Sequence, residues 1–169
     1  MKIVTTLFMT TLLVLTSSCG FFRSDRPAVE GEATMQPTSL TVTEAARTVS
    51  GFVSMIVDKP IDPDPAHADK LGCRTDDAFM PAGPPWRVRR NAWIVDPPQE
   101  LVAAALSRIE TLREQGFEPV PWTRPEPEPP NDKAYRDSRG YIVSVKAGTN
   151  AAGIYALDVS ATSPCAEED

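Results

Sequence analysis

The chain reads as an α+β domain: a mostly antiparallel four-stranded sheet with two helices packed on one face and one disulfide. Three observations predict it. Two segments repeat apolar residues at helical spacing. Four shorter segments are strand-like, and three of these alternate in side-chain character. Turn-forming residues separate them into the order α–loop–β–α–β–loop–β–β. Helices with a single apolar stripe bury it against a sheet, which puts both on one face.

The first helix opens on Thr41-Val42-Thr43-Glu44, a capping box in which Thr41 and Glu44 satisfy each other's backbone donors. Val42, Ala45, Ala46, Val49, Phe52, Val53 and Ile56 then form its stripe, and it should stop near Asp58, ahead of Pro60. Residues 60–85, rich in Pro, Asp and Gly, read as a long connection. Residues 86–95 read as a strand with Trp86, Val88, Ala92 and Ile94 on one face and Arg87, Arg89, Asn91, Trp93 and Val95 on the other. Trp93 and Val95 suggest that both faces are covered at that end.

Asp96 is the expected cap of the second helix, with Pro97 in its first position and Gln99 closing the box. Leu101, Val102, Ala105, Leu106, Ile109 and Leu112 form its stripe, and Gly116 ends it in a left-handed conformation. Residues 117–122 follow as a strand whose prolines suit an edge. Residues 123–139 break the pattern around the run from Pro125 to Pro130, which favours polyproline II. Tyr141, Val143 and Val145, then Tyr155, Leu157, Val159 and Ala161, define the inner faces of a closing hairpin turned by residues 147–153.

The N-terminal residues carry a different signal. Ile3 to Leu15 is uncharged and apolar apart from threonines. It is shorter than the ~20 residues a membrane span needs but suits a signal-peptide core. Leu15-Thr16-Ser17-Ser18-Cys19-Gly20 resembles the lipobox of bacterial lipoproteins, with Thr16 standing where the motif has leucine. That resemblance implies cleavage before Cys19 and acylation of Cys19, palmitate included. Two acyl chains suffice for stable anchoring. The expected map is residues 1–18 as signal peptide, 19–40 as flexible tether, 41–165 as one domain and 166–169 as an acidic tail. The expected location is the extracytoplasmic face of the cell membrane.

The formal net charge is −6, and losing Lys2 with the leader makes it −7. An acidic chain is a poor nucleic-acid ligand, since phosphate backbones need a basic field. Its contact with the membrane is expected through the N-terminal lipid. There are three cysteines. Assigning Cys19 to lipid leaves Cys73 and Cys165 to pair in an oxidising compartment. Such a bridge would contribute at most about 4–5 kcal/mol through loop closure. Arginine far outnumbers lysine, and Ala, Pro and Asp are abundant. With the leader, the tether, the Trp-containing strand and Ser163-Pro164-Cys165 near the end, the layout resembles small secreted actinobacterial lipoproteins of unknown function. That resemblance implies a location and no chemistry.

Arg87, Arg89 and Arg90 form a basic cluster suited to anion or partner contact. The plainer alternative is a solvated strand face paired with nearby carboxylates. Asp62, Asp64, His67 and Asp69 lie in one loop, but prolines replace the spacers of a calcium loop and its glycine and distal glutamate are missing. No metal site is therefore expected. No nucleophile elbow, phosphate loop, paired-cysteine zinc motif or His-Glu-x-x-His helix occurs. The expectation is a non-enzymatic binding module without cofactor, engaging an envelope protein, lipid or glycan. The alternative is an accessory or structural subunit of an envelope assembly. A hydrolase with an acidic site is the weakest reading.

Overall fold

The computed structural model describes residues 39–169. The leader, Cys19 and the tether up to residue 38 lie outside them. The capping box forms: Glu44 N donates to Thr41 Oγ1 at 3.2 Å and Thr41 N donates to Glu44 Oε2 at 3.1 Å. Helix α1 (Val42–Val57) ends on Asp58, whose φ of 58° is left-handed. Then come β1 (Asp69–Thr75), β2 (Pro81–Val95), α2 (Gln99–Glu110), β3 (Glu118–Pro119), β4 (Asp132–Arg136), β5 (Ile142–Thr149) and β6 (Tyr155–Ala166).

The α+β class, the two helices and the antiparallel sheet agree with the sequence. The strand count does not: the sheet has six strands, in the order β1-β2-β6-β5-β4-β3. The additional strands are β1 and β4, inside segments expected to be loops. Both lie near the sheet's margins, where a strand need not alternate to be stable. β1 (Asp-Lys-Leu-Gly-Cys-Arg-Thr) has no fully buried residue, and β4 buries only Tyr135. Gly72 is needed for the β1–β2 approach, because a Cβ there would lie 2.2 Å from the Ala82 carbonyl carbon.

Helix α2 also starts later than expected. Asp96 does not cap it: its φ is 47°, and its N–H donates to Tyr155 O. Each proline disfavours helical backbone in the residue before it, so Pro97 and Pro98 delay the helix to Gln99. A 3₁₀ turn, Thr111–Gln115, continues the stripe through the buried Leu112 to Gly116, left-handed at φ 83° as expected.

Both helices pack on one face of the sheet, α1 over β2 and β6, α2 over β4 and β5, and they touch each other. Val49, Val53, Ile56, Ile109, Val143, Val145, Leu157 and Val159 are fully buried between them. Phe52 packs edge-on to Phe117 at 5.4 Å and Tyr141 at 5.8 Å.

Cys73 and Cys165 form the disulfide, with Cα atoms 6.1 Å apart. It joins β1 to β6 although β2 lies between them. The bridge sits where β2 leaves register: Gly72 pairs with Trp86 and Arg74 with Ala82, so three β2 residues face Cys73 alone.

Residues 166–169 are not a free tail. Thr41 and Glu167 form a parallel bridge, Val42 N donates to Glu167 O, and Asp169 Oδ2 accepts from Thr43 N and Oγ1. Lys70 pairs with Glu168 at 2.8 Å. The Asp169 carboxylate and the Glu167 carbonyl are held because they meet the positive end of α1 and its unpaired N–H groups.

Candidate functional site

One face of the sheet is closed by the helices; the other is open. Strand alternation decides what each presents. On β2, Trp86, Val88, Ala92 and Ile94 belong to the closed side, as expected. Arg87, Arg89, Asn91, Trp93 and Val95 take the open side. Trp93 and Val95 are each 52% exposed, so the expected cover over this end is absent among the described residues.

The basic cluster divides accordingly. Arg87 and Arg89 are on the open face, opposite Cys165 and Thr162 of β6. Arg90 faces the helix side and donates from Nη2 to the Asp62 carbonyl at 3.0 Å. It pins the connection after α1 and is not part of the open surface. The structure adds Arg136, at the end of β4, paired with Ile142. Arg136, Ile142, Thr162 and Arg89 therefore form one row across four adjacent strands. Only the register reveals that row, since Arg89 and Arg136 are far apart in the chain.

A hollow of about 320 Å³ lies on this face, lined by Arg87, Arg136, Ile142, Thr162, Ser163 and Pro164. A β-bulge shapes it. Arg87 pairs with Cys165 and Arg89 with Thr162, so Ser163 and Pro164 together oppose Val88. Ser163 turns inward, where its Oγ accepts from the buried Val88 N at 2.9 Å. Pro164 has no N–H to leave unpaired in the interrupted ladder. Bulges of this kind bend a strand locally and are common beside functional sites.

Two further hollows, of about 370 and 310 Å³, flank β3 and the proline-rich segment. The larger holds a charged network. Lys133 and the Tyr135 hydroxyl both donate to Glu110, the latter at 2.6 Å, and Arg113 Nε donates to Tyr135 Oη at 3.2 Å. The Lys133 hydrogen bond, then that of Tyr135, holds the Glu110 carboxyl below its ordinary range. Burial, then the bond to Glu110, pushes the Tyr135 phenol up. Each group is thus held in its resting protonation state, the opposite of an acid or base poised near neutrality. The network ties α2 to β4.

The loop carboxylates are occupied as well. Asp62 Oδ2 meets His67 Nδ1 at 2.8 Å, and Asp64 Oδ1 accepts from Ala66 N at 2.8 Å. Asp62 is held below its usual value, first by the hydrogen bond from the Asp64 backbone and then by His67. Among the described residues no group of three metal-ligating side chains converges. Elsewhere, Phe79 and Met80 stand 88% and 60% exposed on the turn between β1 and β2. No family model, curated protein or solved structure matches the chain.

Proposed function

We propose that this chain is a lipid-anchored interaction module of the cell envelope that holds its partner on the open face of its sheet. The observation that carries this reading is the asymmetry of the sheet: one face is closed by two helices, while the other exposes Trp93 and Val95 at one end of β2 and, toward the other end, a hollow lined by Arg87 and Arg136. Exposed aromatic and arginine side chains are what binding surfaces enrich. The anchor rests on the lipobox-like residues around Cys19. The Cys73–Cys165 bridge supports an oxidising, extracytoplasmic setting. No helix among the described residues is long and apolar enough to cross a membrane. In this reading the module acts by binding and not by catalysis.

A second reading, a subunit of a larger envelope assembly, draws on Phe79 and Met80. Together they put two large apolar side chains into solvent at one hairpin tip, a knob suited to a partner's pocket.

Crosslinking and pull-down from intact membranes, comparing the native chain with Cys19→Ala, tests the proposal. The native chain should recover partners that the variant loses, and intact mass should show acyl chains on Cys19. A mature chain beginning at an unmodified Cys19, or no partner from either form, would overturn it.

A further inference from the structure

Two arginines, Arg87 and Arg136, line one hollow on the open face, whereas Arg47, Lys59, Arg74 and Arg124, which also form no ion pair among the described residues, lie outside it. Lys70, Arg108, Arg113, Lys133, Arg139 and Lys146 each hold a carboxylate. Arg87, Arg89 and Arg136 form no ion pair among the described residues, although Asp69 and Glu118 stand directly across the strands from Arg89 and Arg136. In a chain of net charge −6, carboxylates are plentiful, yet these three guanidinium groups on one surface form no ion pair among the described residues. Thr162 lies between two of them in the cross-strand row, and its hydroxyl makes no hydrogen bond among the described residues. Neighbouring strands lie about 4.8 Å apart, so the backbones of Arg89 and Arg136, three strand spacings apart, are roughly 14 Å from each other. Extended arginine side chains from either end can close over a group seated between them. The Ser163-Pro164 bulge shapes the floor at that place.

We propose that this hollow binds a phosphate monoester, with Arg87 and Arg136 gripping the phosphate, Arg89 adding charge and Thr162 donating its hydroxyl. The guanidinium fork matches phosphate oxygens bidentately. A dianion answers three like charges better than a single carboxylate does. The volume of about 320 Å³ sits at the lower end of small-ligand sites, which suits a group the size of a phosphorylated sugar. The inference rests on the open face being the binding face, and it names what that face recognises.

The test uses the full mature chain in phosphatidylcholine discs, titrated calorimetrically with glucose 6-phosphate and, separately, with glucose. The phosphate should bind and the sugar alone should not. Arg87→Gln and Arg136→Gln should each weaken Kd at least tenfold at unchanged melting temperature, while Arg74→Gln, on the exposed β1–β2 arm, leaves it unaltered. Repeating the titration in discs containing phosphatidic acid separates the sources. A weakened apparent Kd supports a lipid headgroup as the natural phosphate, and an unchanged one supports a soluble or glycan phosphate. Equal heats from glucose and its phosphate, no heat from either, or equal affinity in all four proteins would overturn the proposal. If membrane partners are still recovered with Arg87→Gln and Arg136→Gln, the phosphate proposal falls while the open-face reading stands. That reading falls only on its own pull-down.

Discussion

Along β6, Leu157, Val159 and Ala161 point into the core with at most 1% of their surface exposed. Asp158, Ser160 and Thr162 alternate with them on the open side, where Ser160 meets Ser144 at 2.9 Å. The same strand thus serves two surfaces built on different terms. The closed face is apolar and packed by α1 and α2. The open face is polar and mixed in charge, with arginines toward one end and the exposed Trp93 and Val95 at the other end of β2. Substitutions on the first should cost stability and leave binding to follow folding; substitutions on the second should cost binding and leave folding intact.

The largest effect is expected on the closed face. Leu157→Ala removes a fully buried side chain and should destabilise the domain by about 2–5 kcal/mol in denaturant unfolding. A loss under ~1 kcal/mol would mean that the helices do not close this face as described. Next is the staple: replacing both Cys73 and Cys165 with Ser should cost about 2–5 kcal/mol, read as the midpoint shift against the oxidised protein.

A smaller effect is tied to pH. Glu110 has its folded value lowered from 4.5, chiefly by Lys133 and Tyr135. A carboxyl lowered on folding stabilises the fold above its unfolded value and loses that contribution as pH falls through the folded one. Glu110→Gln should therefore be less stable than the native chain at pH 7, with the gap closing as pH drops below 4.5. A gap that stays constant across that window would contradict the network. The smallest effect belongs to the open face. Trp93→Ser, at a side chain 52% exposed, should change stability by no more than about 0.5 kcal/mol while reducing partner recovery.

How far each face was legible in the sequence follows the same division. Helix α1 and the β5–β6 hairpin could be read directly, because burial on one side forces a period on the residues. The Cys73–Cys165 pair followed from parity and compartment. β1 and β4 could not be read, since strands with little burial impose no alternation; Gly72 and Tyr135 were their only marks. The open-face row was half visible. Arg87 and Arg89 are two apart and share a face, whereas Arg90, adjacent in the chain, points the other way. Arg136 entered only through the register with Ile142 and Thr162. No local pattern records a register set by the bulge and the turn at Asn150, where the Asn150 side chain accepts from Ala152 N and Ile154 N.

The difference between the faces can be measured in place. A photoreactive residue at Asn91, exposed on the open side of β2, is compared with one at Ala103, exposed on α2, each in the full chain in intact membranes. The open-face account predicts partner adducts from position 91 and none from position 103. Equal labelling from both, or labelling from the helix alone, would contradict it.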